Sequence, residues 1–274
     1  MLQRARLKTV LNRHFQAILE KNWSEKKFLC IGLDSDISKL PKGTTQLSFN
    51  QAIIEATHDL VAAFKPNVAF YESQGSSGFE ALKKTIEFIL ETAPSTLIVL
   101  DAKRADIGNT SASYAKAAFE ELKADCVTLN PYLGQEAIQP FLDYKNKGSF
   151  ILCRTSNPGA KEFQDLKVDG EPLYLRVAKQ VATQWNTNKN CGLVVGATYP
   201  EELKTIRKAA PELPFLVPGV GSQGGDLKQV LEFGRNSAGN GLLINLSRSI
   251  LFASSGPDFA ESARKEILKT TQLI

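Results

Sequence analysis

The chain has 274 residues but only two histidines, His14 and His58, and only four cysteines, none of them in a CxxC pair. Clustered His and Cys are the usual ligands of zinc, so no metal-binding spacing of that kind is present. A GxSxG nucleophile elbow and a Walker phosphate loop are also missing, which removes the commonest serine-hydrolase and P-loop readings. No apolar run approaches the ~18 residues that a membrane-crossing helix requires. No Pro/Gly/Ser-rich linker divides the chain, so it reads as a single domain over 1–274. A strong charge of one sign is lacking too. Against 29 acidic residues stand 33 basic ones, and the net +4 is too mild to imply nucleic acid, though it suits a small anionic ligand.

Each of Cys30, Cys126, Cys153 and Cys191 stands inside an apolar, strand-like run. That placement marks buried reduced thiols and a reducing compartment, the cytoplasm. Both histidines fall on expected helices away from any strand end, which gives neither a catalytic or ligating position. The opening "MLQRARLKTVLNRHFQAILEKNW" is basic with no acid before Glu20, as transit peptides are. Its stripe of Leu7, Val10, Leu11, Phe15, Ile18 and Leu19 instead predicts an amphipathic helical extension over 1–27.

From residue 28 onward the pattern alternates. Runs rich in Val, Ile, Leu and Phe occur at 28–34, 63–72, 96–103, 125–131, 149–156, 191–198, 214–221 and 241–249. Continuous apolar character is expected of parallel strands covered on both faces. Helical periods lie between them. Phe79, Leu82, Ile86, Ile89 and Leu90 form one stripe closed by Pro94, and "PEELKTIRKAA" starts with Pro200 at a first helical position, with Leu203 and Ile206 three apart. Eight β-then-α units over 28–274 predict a closed α/β fold, the (β/α)8 TIM barrel, with a doubly wound open sheet as the alternative. The polar stretch 157–172 is the longest connection, either a lid or a decoration.

A parallel barrel builds its active site at the carboxyl ends of its strands. Polar groups stand at nearly all of those ends: Asp34, Lys65 with Asn67, Asp101 with Lys103, Asn130, Thr155 with Ser156, Thr198, Pro218 through Gln223, and Ser247 with Arg248. Helix caps account for some, but caps do not need lysines just inside strand ends. In "PGVGSQGGD" (218–226) four glycines precede a helix start, so backbone N–H groups and the helix dipole can hold an anion, with Arg248 adding a charged fork. Asp101 and Lys103, two apart on one strand end, project to the same side, and Lys65 reaches them from the neighbouring strand. A lysine among carboxylates keeps its proton, which makes it a fixed cation and proton donor, not an amine nucleophile.

With these residues in view, "LDAKRADIGNT" resembles the D-x-K-x-x-D signature of the orotidine 5′-phosphate decarboxylase family. "PGVGSQGGD" followed by "SRS" resembles that family's phosphate-binding end, and "FKPNVAFYE", "RTSNPGA" and "VVGATYP" are similar to its longer bacterial subtype. The resemblance spans about Phe28 to Phe252. It implies a homodimeric (β/α)8 barrel that turns orotidine monophosphate into uridine monophosphate and CO2, with no metal or organic cofactor, no nucleic-acid partner and no membrane. It implies Lys103 as the proton donor to C6, in a network with Lys65, Asp101 and an Asp106 supplied by the other subunit. Asp34 and Asn67 would contact the ribose region, and Ile107 and Thr110 the other subunit's ligand. Ser156, with Thr155 sharing the contact as an open alternative, would meet the ring. Pro218, Gln223 and Arg248 would lie near the ring edge and phosphate.

Two rivals fit parts of the pattern. A related Mg²⁺-dependent decarboxylase of keto-sugar phosphates shares D-x-K-x-x-D but carries a metal-binding Glu where this chain has Lys65, and a cation there repels Mg²⁺. A silent phosphate-binding barrel has no evident use for so dense a charge cluster. Arg104 points away from Lys103, and a solvent or interface ion pair is expected for it.

Overall fold

The computed structural model describes residues 13–221 and 224–274. Eight parallel strands form its centre: β1 (Leu29–Leu33), β2 (Ala63–Pro66), β3 (Leu97–Arg104), β4 (Cys126–Leu129), β5 (Gly148–Arg154), β6 (Cys191–Val195), β7 (Phe215–Pro218) and β8 (Leu242–Leu246). β1 pairs on one side with β2, Cys30 opposite Ala63, and on the other with β8, Leu29 opposite Ile244. That double pairing closes the sheet and settles the choice in favour of the (β/α)8 barrel.

Covered on both faces, β1, β4, β6 and β8 are buried at every residue, as their unbroken apolar runs require. The four cysteines are free and buried, and burial pushes the thiols of Cys30 and Cys191 up to about 12. Each expected strand exists, but only the first half of 63–72 is extended. Ala69–Glu72 turns into a short helix.

The outer layer is helical: α1 (Phe15–Ser24), α2 (Gln46–Thr57), α3 (Gly75–Thr92), α4 (Gly108–Lys116), α5 (Gln135–Leu142), α6 (Leu173–Gln180), α7 (Pro200–Ala209), α8 (Leu227–Gly234) and α9 (Phe259–Thr271). In α3 the residues Leu82, Ile86, Ile89 and Leu90 are buried, whereas Phe79 in the first turn is half exposed and leaves the expected stripe. Leu203 and Ile206 of α7 are fully buried, each such side chain contributing about 1.5–3 kcal/mol.

Residues 7, 10 and 11 of the expected N-terminal stripe lie outside the described residues. The described part, α1, lies across the amino-terminal end of the barrel. Phe15 meets Phe150 edge to face at 5.9 Å, and a Cβ at Gly148 would stand 2.7 Å from the Phe15 ring, so that close approach requires the glycine. Arg13 places Nη2 2.6 Å from Asp125 Oδ2, donates Nε to Oδ1 at 2.8 Å, and reaches the carbonyls of Pro94 and Thr96. This end is thus plugged, and the carboxyl ends of the strands are left to form the mouth.

Between β5 and α6 the long connection is ordered. It runs through a 3₁₀ turn (Pro158–Glu162) and a small antiparallel hairpin, Lys167–Val168 against Glu171–Pro172.

Candidate active site

A cavity of about 570 Å³ opens at the carboxyl ends of the strands, a volume suited to a mononucleotide-sized ligand. Lys65, Asp101, Lys103 and Thr128 make its polar wall, and Leu152, Val194, Leu216 and Pro218 its apolar one. Thr155, Ser156, Asn157 and Pro158 form part of the rim.

Asp101 organises the polar wall. Its Oδ2 accepts from Lys65 Nζ at 2.7 Å, and its Oδ1 accepts from Lys103 Nζ at 2.6 Å and from Thr128 Oγ1 at 2.9 Å. Burial disfavours the charge on Asp101, but the two ammonium groups outweigh it and hold the carboxyl well below the usual carboxylate range. Burial likewise opposes the charge on Lys65, and the carboxylates of Asp101 and Asp34 prevail, keeping its ammonium pKa above the ordinary value. Lys65 is almost wholly buried, whereas the Lys103 side chain is 50% exposed and so is the cation presented to a ligand.

Lys103 and Asp101 do meet, although not through regular strand alternation. The register of β3 against β4 shifts between Leu100 and Arg104, and Lys103 has φ +47°. A left-handed conformation at a residue with a Cβ costs on the order of 1 kcal/mol and persists only when its surroundings fix it. Here the hydroxyl of Thr128 fixes it, accepting from the backbone N–H of Ala102 at 3.1 Å and of Lys103 at 2.9 Å. Thr128 was not among the expected site residues. Its signal was a single hydroxyl inside an otherwise apolar strand.

Asp34 sits at the end of β1, where Oδ2 accepts from Ser247 Oγ at 2.5 Å and the buried Oδ1 has no partner among the described residues. Asn67 follows β2 and bridges to Asp101 through its backbone, while its Oδ1 accepts from Ala69 N. Ser156 and Pro218 line the cavity as expected. The hydroxyl of Thr155 is committed within the chain, to Asn157 Oδ1 at 2.6 Å and Gln164 Nε2 at 2.8 Å. Arg248 is exposed at the first position of a short helix, Arg248–Leu251, directly after Ser247.

Other expected residues are not brought to this cavity. Asp34, Asn67 and Arg248 stand at neighbouring strand ends without lining it, and Asp106, Ile107 and Thr110 do not line it either. Asp106 is half-buried and accepts from the N–H of Ile107, whose side chain is 62% exposed, and Thr110 is exposed on α4. Gln223 lies outside the described residues. The glycine loop also differs from expectation at its helix. Asp226 caps α8 by accepting from the N–H groups of Lys228 and Gln229, so a carboxylate already occupies the helix start that was expected to serve an anion. Arg104 pairs with Glu72 at 2.5 Å and covers the ring of Tyr114, the surface ion pair anticipated for it.

The profile described as "Orotidine 5'-phosphate decarboxylase / HUMPS family" matches residues 27–264. The chain belongs to that family. Among its relatives, the orotidine 5′-phosphate decarboxylase of Herpetosiphon aurantiacus is 56% identical over 248 residues, covering 88% of this chain and 90% of the relative. That of Cellvibrio japonicus is 48% identical, covering 93% and 96%. Among solved structures, the OMP decarboxylase of Leishmania donovani superposes with a TM-score of 0.82 at 38% identity, over 94% of this chain and 99% of that one. The family's barrel and the strand-end cluster described above therefore coincide in one chain.

Proposed function

We propose that this chain decarboxylates orotidine monophosphate to uridine monophosphate in pyrimidine biosynthesis, with Lys103 as the group that protonates C6. The observation that carries this reading is the buried Lys65–Asp101 pair at 2.7 Å with Lys103 on the other carboxylate oxygen. The rival reading is a related Mg²⁺-dependent decarboxylase of keto-sugar phosphates, and Lys65 argues against it. A permanent cation at the end of β2 occupies the place where the Mg²⁺-dependent relative needs a carboxylate, and it repels a divalent ion.

The chemistry follows from the charges. As the C6–carboxylate bond breaks, CO2 leaves and the electron pair stays on C6, where the ring offers no conjugated sink. The Lys103 ammonium, anchored by Asp101 and half open to the cavity, stabilises that pair and then transfers a proton to it, recovering its own from solvent. Asp101 ionised beside the substrate carboxylate raises the energy of the bound ground state. Asp34 and Asn67, at the ends of β1 and β2, are assigned to the ribose hydroxyls. Ser156 and Pro218 suit the ring, with Thr155 already engaged, while Gln223 and Arg248 suit the phosphate. Phosphate contacts remote from C6 supply binding energy that holds this geometry.

A homodimer completes the site. Asp106, Ile107 and Thr110 stand outside the chain's own cavity, and Ile107 is 62% exposed, as residues serving a neighbouring subunit would be. Four buried free thiols suit the reducing cytoplasm.

The test is direct. Orotidine monophosphate is added and the loss of its ultraviolet absorbance followed with EDTA present. Turnover that persists with EDTA is the expected result. No turnover would sink the proposal, and turnover abolished by EDTA would favour the metal-dependent reaction.

A further inference from the structure

Behind the cavity rim lies a fully buried guanidinium that the chemistry above does not use. Arg154, the last residue of β5, has no exposed side-chain surface. It lies over the ring of Tyr199 at 4.2 Å and faces Asp165 at 3.3 Å and Glu202 at 3.8 Å. Its Nη1 donates to Gln164 Oε1 at 3.3 Å. Gln164 belongs to the long β5–α6 connection, and its amide grips the next residue of the rim at two points. Oε1 accepts from the backbone N–H of Thr155 at 2.9 Å, and Nε2 donates to Thr155 Oγ1 at 2.8 Å.

These contacts have a direction. Two donors, the Arg154 guanidinium and the Thr155 N–H, converge on Oε1, so the Gln164 amide cannot flip without setting its NH2 against both. Nε2 is thereby fixed as a donor to the Thr155 hydroxyl. The hydroxyl proton is left for Asn157 Oδ1, 2.6 Å away. Asn157 lines the cavity, and with its Oδ1 turned to the Thr155 hydroxyl its NH2 is the end of the amide left for another partner.

We propose that Arg154, Gln164 and Thr155 form a polarised relay that fixes Asn157 as a specificity-determining donor to an acceptor oxygen on the substrate, with Arg154 and Gln164 as positioning residues. The inference rests on the decarboxylase reading given above. It also assigns the 157–172 connection a static role, as a buttress behind the rim and not a lid over it.

A double-mutant cycle in full-length chain, assayed with orotidine monophosphate, tests this. Asn157→Ala should raise KM about tenfold, the effect of one lost hydrogen bond to substrate, with kcat much less changed. Gln164→Leu, nearly isosteric and without hydrogen bonds, should raise KM about fivefold by releasing the same amide. The double variant should be no worse than Asn157→Ala alone, because the relay acts only through Asn157. Multiplying effects, or a wild-type KM in either single variant, would overturn the relay. If Gln164→Leu does not fold, Gln164→Glu keeps the acceptor but replaces the Nε2 donor with an acceptor. It should show the same KM rise and the same coupling, and an unchanged KM would count against the proposal. Wild-type chain without turnover removes the decarboxylase reading and the relay together, whereas an active wild type with uncoupled variants removes the relay alone.

Discussion

Lys65 Nζ and Asp101 Oδ2 stand 2.7 Å apart at the carboxyl ends of β2 and β3, an ion pair with almost no exposure to solvent. Two charges withdrawn from water are costly unless each is matched, and here Asp101 is matched twice, by Lys65 and by Lys103. The cluster therefore gains its stability from completeness, and its members cannot be removed one at a time without exposing the cost.

Asp101→Asn should lower the unfolding free energy at neutral pH by about 3 kcal/mol, because it leaves the buried Lys65 ammonium without its principal partner. The folded Asp101 carboxyl is held below the usual carboxylate range. Its contribution is thus present above the unfolded pKa of about 3.9 and fades as pH falls toward the folded value. Lys65 is shifted upward, so its contribution holds below about 10.4 and fades only as pH rises through its folded value. Urea unfolding of wild type and variant should show a gap that is constant across neutral pH and narrows below about pH 4. A gap that persisted undiminished at that acidity would refute the assignment.

Lys103→Ala should reduce kcat at least ~10⁴-fold, since it removes the carbanion's counter-charge and its proton source in one step. Single-turnover kinetics with saturating orotidine monophosphate checks this, and near-normal decarboxylation would refute the role of Lys103.

Arg13→Met should destabilise the chain by about 3–5 kcal/mol while leaving kcat/KM unchanged. The guanidinium holds Asp125 by two hydrogen bonds at the floor of the barrel, the end opposite the cavity. Once it is lost, the wholly buried Asp125 side chain keeps Lys147 at 3.8 Å as its remaining ion-pair partner among the described residues. Chemical denaturation beside steady-state kinetics separates the two effects, and a loss of kcat/KM with stability intact would contradict this division between floor and mouth.

The barrel was legible because parallel strands covered on both faces read as largely unbroken apolar runs, and eight such runs occur in order. Lys65, Asp101 and Lys103 were legible for the converse reason, since charges placed where apolar residues belong need a use. What stayed hidden depends on backbone geometry. The left-handed turn at Lys103 and the Thr128 hydroxyl that braces it arise from a register shift between β3 and β4, which no periodicity carries. Asp226 read as part of an anion loop because a helix start attracts phosphate and carboxylate for the same electrostatic reason, and the chain's own carboxylate took the place. Arg154 carried no signal of its own in the sequence. Its burial is set by Tyr199, Asp165 and Glu202, from segments remote in sequence.

The shared site proposed above leads to a prediction that no single-chain property can imitate. On that proposal Lys103→Ala and Asp106→Ala should each disable a site, and in homodimers of either variant both sites would carry the lesion. If Asp106 serves the neighbouring subunit, a mixed dimer gathers both lesions into one site and leaves the other with an intact Lys103 and an intact Asp106. Co-refolding the two inactive variants should then restore activity approaching one active site per mixed dimer, read as decarboxylation rate against the mixing ratio. Mixed dimers confirmed by native mass spectrometry but without activity would place Asp106 in its own subunit's site or outside the chemistry altogether.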